Sequence, residues 1–149
     1  MIATIFDHSQ LQCATFSHAR FPHASFRGVN GSLTSLPWSV LGHSDWTGAI
    51  LDGADLTGAI LDGAQMGGAS MRGATMDGVS LVGADLTGAV LDGASLADSD
   101  LTSALVTGAS FVGTDMSECV VGRHLASEFA GAVGTHSMQS ISSDVPQPA

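Results

Sequence analysis

The sequence predicts an all-β solenoid, a chain wound into stacked coils of short straight sides separated by corners. Two observations carry this expectation. From Thr4 to Val121 the residue character repeats every five positions without a slip. A period of five suits neither a helix, which repeats every 3.6 residues, nor a flat strand, which repeats every 2.0. Self-similarity at a fixed short period signals a stacked architecture.

The parts of one pentapeptide follow from its side chains. Let i be its large apolar position. Phe6, Leu11, Phe16, Phe21 and Phe26 open the series, and Leu, Met and Trp46 fill it from Leu36 to Leu101. Val106, Phe111, Met116 and Val121 close it, and Gly31 is the one member without a sizeable apolar side chain. Position i−2 is small, mostly Ala from Ala49 to Ala109, while i−1 and i+1 carry Asp, Thr, Ser, Arg and Gln. Positions i−2 and i therefore face the same way, as in a short extended segment. Position i+2 is glycine from Gly48 to Gly93, where the chain must turn. Each pentapeptide is one side and one corner. The large residue fills the axis, and the small one leaves room for it.

The stretches AILDGADLTGAILDG at Ala49–Gly63 and ADLTGAVLDGASLAD at Ala84–Asp98 resemble the A(D/N)LXX consensus of pentapeptide repeat proteins. The resemblance implies that family's fold, a right-handed quadrilateral β-helix with four pentapeptides per coil. Its best understood members resemble B-form DNA in shape and charge, and bind DNA gyrase or topoisomerase IV. At four repeats per coil, residues twenty apart stack, and the twenty-four i positions make about six coils. A strand spacing of about 4.8 Å then gives a rod on the order of 29 Å long. The core becomes ladders such as Leu11, Gly31, Leu51, Met71, Leu91 and Phe111. Gly31 leaves a gap in this ladder, and the expectation is an irregular coil in which Leu33 or Trp38 folds inward.

The ends differ from the repeats. Leu125, Phe129 and Val133 follow one another at intervals of four, with Ala126 and Ala130 beside them. This spacing predicts a short C-terminal α-helix over 122–134, serving as a cap on the last coil or as a homodimer contact. The organisation expected is a β-helix over 1–121, this capping or dimerisation helix, and a disordered tail over 135–149.

Charge and composition narrow the function. Net charge is −10, there is no Lys, and Arg20, Arg27, Arg72 and Arg123 are the only strong cations. No cationic face for direct nucleic-acid binding can be assembled from four arginines. No apolar run is long enough to span a membrane. The opening MIATIFDHSQ lacks the basic and apolar stretches of a secretory leader, so the cytoplasm is the expected location. Stacking places Cys13 and Cys119 more than about 20 Å apart, beyond the reach of a disulfide. Unpaired thiols suit a reducing compartment.

The acids of the repeat region occupy outward positions. Asp45, Asp55, Asp85, Asp100 and Asp115 stand at i−1, Asp52, Asp62, Asp77 and Asp92 at i+1, and Asp98 at a corner. One reading makes them a partner-binding surface that imitates phosphates in a basic groove, the partner being a type II topoisomerase protected from inhibitors. The other holds that a solenoid simply scatters anions to avoid stacking them. Compared with the gyrase-binding relatives, the carboxylates are sparse and no projecting loop interrupts the repeats. A protein–protein scaffold with no topoisomerase role is the alternative. Val40, Ile60 and Val120, or Ile50 and Val90, offer it an outward apolar stripe.

No chemistry is expected. His8, Cys13, His18 and His23 point away from four different corners and cannot share a metal ion, and a stacked His23–His43 pair supplies only two ligands. Elements such as H-E-x-x-H, C-x-x-C and G-x-S-x-G do not occur. With its axis filled, the rod offers no pocket. The expectation is a binding protein without metal, cofactor or catalytic residue.

Overall fold

The structure, a computed structural model, describes residues 4–122, 125, 128–129, 131–134 and 139–141. Parallel bridges join residues twenty apart in an unbroken series, from Ile5↔Ser25 through Ser95↔Asp115. β1 (Asp100–Leu101) and β2 (Val120–Gly122) carry the same register as two-residue pairing, Asp100↔Val120 and Leu101↔Val121. The coils are thus 4–23, 24–43, 44–63, 64–83, 84–103 and 104–122, numbered first to sixth below.

One side shows how all are built. Leu51 N–H donates to Ser70 C=O in the next coil at 2.7 Å, and Asp55 N–H donates to Thr34 C=O in the previous coil at 2.8 Å. Between them the chain turns on Leu51 C=O, which accepts from Ala54 N–H at 3.0 Å. The third residue of that turn, Gly53, has φ +66°, the left-handed value a type II turn requires. Every i+2 corner from His8 to Glu118 shares this conformation.

The axis is filled by the i residues, and from Phe26 onward each of them is buried. Buried hydroxyls at i−2 are satisfied inside the wall. Ser39 and Ser44 donate to the carbonyls three residues back at 2.6 and 2.5 Å, and Thr114 to Leu91 C=O at 2.7 Å. Among the described residues, no buried side-chain polar atom lacks a partner. An aromatic column runs up one side. Phe26 stacks on Phe6 at 4.7 Å and 7°, and Trp46 on Phe26 at 3.9 Å and 4°. Trp46 Nε1 donates to Ser44 Oγ at 2.7 Å.

Two expectations fail here. Gly31 does not make its coil irregular, and neither Leu33 nor Trp38 folds inward. Both are corners with φ +58°, 63% and 59% exposed. The left-handed turn aims any corner side chain outward, so neither has an inward route. The space beside Gly31 is taken by its neighbours instead. A Cβ there would lie 2.9 Å from Leu51 Cδ2, and Phe26, Val29 and Trp46 help close a crevice too tight for water.

The C-terminal helix is the third correction. Among the described residues there is no α-helix. Residues 123–124, 126–127 and 130 of the expected helix lie outside the described residues, as do 135–138 and 142–149 of the expected tail. Val133 pairs with Asp115 as a further parallel rung, and Val133 N–H donates to Thr114 C=O at 2.8 Å. In the stretch expected to be disordered, β3 (Gln139–Ile141) pairs in parallel with β2, Val121 facing Ser140. The open edge of the last coil supplies hydrogen-bonding groups in a fixed row, and Val133 and Gln139–Ile141 pair along it.

Candidate interaction surface

Nine of the ten acids expected at the surface are half-buried, and each has an assigned structural contact. The i+1 acids clip neighbouring coils together. Asp52 Oδ1 accepts from Ser70 Oγ at 2.6 Å and from Arg72 N–H at 2.9 Å. Asp62 does the same with Ser80 and Val82 N–H, and Asp92 with Ser110 and Val112 N–H. Asp77 takes the Ser95 hydroxyl. The i−1 acids cap their own turn instead. Asp55 accepts from Thr57 N–H at 3.0 Å and Thr57 Oγ1 at 2.7 Å, and Asp115 from the same groups of Ser117. Asp45, Asp85 and Asp100 accept the N–H of Thr47, Thr87 and Thr102. Asp98 alone is an exposed corner, with φ +57°.

The charge pattern missed this, yet its signal is in plain sequence. Every i+1 aspartate of the coils, Asp7 included, has a serine eighteen residues on, and every i−1 aspartate has Thr or Ser two residues on. The hydroxyl of Ser117, then its N–H, holds the Asp115 carboxyl below its ordinary value. The Ser25 hydroxyl does the same for Asp7, helped by Arg27 N–H and the nearby charges of His8 and Arg27. One oxygen of each clipped carboxylate is engaged within the wall, so the group is held rigidly, with its charge toward solvent.

The acids are unevenly distributed along the rod. Residues 1–44 hold Arg20 and Arg27 against one acid, Asp7, a net charge of +1. Residues 45–122 hold Arg72 against eleven acids, a net charge of −10. The same first two coils carry four of the six histidines and the exposed Leu33 and Trp38. Trp38 lies over the bare corner of Gly58, and Leu33 and His43 cover Gly53 and Gly63 likewise. His23 and His43 stack at 5.2 Å and 8°. From Gly68 to Gly93 the corners are glycines with open space beside them. A neutral-to-cationic, aromatic collar therefore sits below an acidic shaft.

Leu125 and Phe129, expected as cap or dimer contact, are buried, and Phe129 meets the Phe111 ring edge-on at 4.9 Å. Val133, expected on the same helix face, is 52% exposed on its β-rung. Among the described residues, no three His, Cys, Asp or Glu side chains converge where an ion could be held. A shallow crevice of about 200 Å³ beside Leu105 and Leu125 contains one titratable side chain, Glu128. No described helix is long and apolar enough to cross a membrane. Cys13 is exposed, whereas burial pushes the Cys119 thiol up to about 12.

Comparison with known proteins agrees with this geometry. The pentapeptide repeat family matches in eight copies, over residues 9–45, 34–73, 69–108 and 80–118. No curated protein matches the chain in sequence. Among solved structures, a trypsin-treated variant of QnrB1, a plasmid-mediated fluoroquinolone resistance protein, is 19% identical. It superposes with a TM-score of 0.60 over 80% of this chain and 70% of its own. A pentapeptide repeat protein of the Arabidopsis thaliana thylakoid lumen is 23% identical over 82% of this chain and 74% of its own, with a TM-score of 0.42. At such identities the likeness to QnrB1 speaks for a shared solenoid fold.

Proposed function

We infer the function of this chain from the family to which it belongs, the pentapeptide repeat proteins, and from where its charge lies. It is a non-catalytic binding protein, a right-handed rod whose acidic shaft engages a basic groove on a protein partner. The partner proposed is a type II topoisomerase, whose DNA-holding groove suits a rigid anionic rod, and the outcome proposed is protection against an inhibitor. One observation carries this reading. The carboxylates of the third to sixth coils are fixed by hydroxyl and N–H partners while their charge faces outward, so little side-chain freedom is lost on binding. The fold shared with QnrB1 supports the choice of partner.

The test separates charge from structure. Asn keeps the acceptor oxygen that Asp52, Asp62, Asp77 and Asp92 use in their clips, but removes the charge. The fourfold Asp→Asn variant is expected to fold and melt like the parent. It is also expected to lose at least tenfold in its effect on gyrase supercoiling, or in rescue of gyrase from a quinolone. If neither the parent nor the variant alters supercoiling or rescue at any concentration, the topoisomerase reading fails.

A scaffold role is the second reading, and Leu33 and Trp38 favour it. A left-handed φ costs a non-glycine residue roughly 1–2 kcal/mol, and more than half of each side chain faces water. Glycine occupies the same two corners one coil later. Such placement suits a contact made outside the chain.

A further inference from the structure

Five pairs of Asp or Asn followed by Gly lie in the coils: Asn30–Gly31, Asp52–Gly53, Asp62–Gly63, Asp77–Gly78 and Asp92–Gly93. Four of them follow from the repeat itself, which puts a clip aspartate at i+1 and a turning glycine at i+2. The fifth puts Asn30 beside the glycine that stands in the core series. Glycine leaves its backbone nitrogen without a shielding side chain. In an open chain that nitrogen attacks the preceding side chain at Cγ. The new N–Cγ bond closes a five-membered succinimide and the nitrogen gives up its proton. Asparagine loses ammonia in this step, and a protonated aspartate loses water. Water then reopens the ring at either carbonyl, leaving aspartate or its isomer linked through the side chain. Solvent water is the one co-reactant.

The wall blocks the first step at both reacting atoms. Cγ must arrive where the N–H proton stands, and each of those protons is engaged by the next coil. Gly53 N–H donates to Arg72 C=O at 2.8 Å, and Gly31 N–H to Ile50 C=O at 2.7 Å. Gly63, Gly78 and Gly93 donate in the same way to Val82, Ala97 and Val112. The side chains are held as well. The hydroxyls of Ser70, Ser80, Ser95 and Ser110 fix the four carboxylates toward the next coil. Asn30 Oδ1 accepts from Ser32 Oγ at 3.0 Å and from Ser32 N–H at 3.3 Å, the cap that Asp55 makes with Thr57. All five side chains are half-buried, so water reaches them once the wall opens.

We propose that these five pairs are latent modification sites, silent while neighbouring coils stay paired and reactive in whichever coil opens. A solenoid coil contacts only its neighbours, so coils open locally. The change runs one way. A side-chain linkage adds a carbon to the main chain, and a coil lengthened in this manner no longer sets its groups opposite those twenty residues away. The serine clips thus govern the chemical lifetime of the rod as well as its stability.

Loss of ammonia changes the mass of the chain, whereas isomerisation of aspartate does not. The fourfold variant Asp52→Asn, Asp62→Asn, Asp77→Asn and Asp92→Asn therefore makes all five sites readable by peptide mapping. In guanidinium chloride that unfolds the chain, all five are expected to deamidate. In native buffer at the same neutral pH the rate is expected to be at least about a hundredfold lower, because slow modification follows the small open fraction. Adding Ser70→Ala is expected to speed position 52 about fivefold, the worth of one hydrogen bond, and to leave position 92 unchanged. A parent chain aged in denaturant is expected not to regain its circular-dichroism spectrum on dilution, whereas a chain diluted at once does. Should the fourfold variant misfold, the parent reports Asn30 by mass and the four aspartates by enzymatic methylation of isoaspartate. A native rate within about a hundredfold of the unfolded one, an unmoved position 52, or isoaspartyl chains that refold fully overturns the proposal.

Discussion

Replacing Gly58 by Ala tests whether the Trp38 ring rests on the corner of the next coil in solution. Gly78, one coil further up the same corner, is the internal reference. The two glycines have φ +63° and +64°, so both substitutions carry the same backbone strain. A left-handed alanine costs about 1–2 kcal/mol, and the loss of freedom in the unfolded chain returns roughly 0.4–1 kcal/mol. Gly78→Ala therefore destabilises by about 1 kcal/mol, because its Cβ meets nothing within 4 Å. At Gly58 the Cβ runs into Trp38 Cε3 and Cζ3, and the ring must lift. Trp38 is 59% exposed, so all its neighbours together cover about two-fifths of its surface, an upper bound on that contact. This is on the order of 100 Å², worth at most roughly 2.5 kcal/mol at 25 cal/mol/Å². The ring retains part of it by tilting, so the added cost is about 1–2 kcal/mol. Urea unfolding followed by far-UV circular dichroism, on both single variants and again in a Trp38→Ala background, reads the difference. The extra cost at Gly58 is expected to vanish once the indole is gone. Equal midpoints for Gly58→Ala and Gly78→Ala in the parent chain would refute the packing.

Other consequences are open to direct measurement. In a double-mutant cycle on Asp52→Ala and Ser70→Ala, the coupling in urea is expected to be about 1 kcal/mol, the net worth of one such hydrogen bond. A coupling near zero would show that the clip does not hold coils together. The carboxyls of Asp7 and Asp115 lie below the ordinary value of 3.8, so their contribution is fully present above that pH and is lost as pH falls through the lowered values. The urea midpoint is therefore expected to drop on acidification below pH 3.8, and Asp7→Asn with Asp115→Asn to make that drop shallower. An unchanged acid limb would argue against the assigned partners. A thiol reagent is expected to modify one cysteine per native chain, Cys13, and to reach Cys119 only in denaturant. Two fast thiols would contradict the burial of Cys119.

The solenoid was legible because five-residue periodicity is a geometric statement. Once i and i−2 point inward and i+2 turns, the path closes with few alternatives. Leu33 and Trp38 were misread because hydrophobicity suggested the interior, while the backbone sign at a corner sends them outward regardless of their chemistry. Leu125, Phe129 and Val133 carry a spacing that suits a helix, but local preference yields where a coil edge offers ready-made partners, as at Val133 on Asp115. The acids were found at the surface, as charge alone dictates. Their clips escaped notice because the partner serine lies eighteen residues away, a spacing with meaning only after the coil length is known.

Uneven charge also gives the single chain a long-axis dipole. In the field of a basic cleft such a body rotates before it touches, and its acidic tip arrives first. Captured that way, it leaves the tryptophan and the histidines pointing back toward solvent.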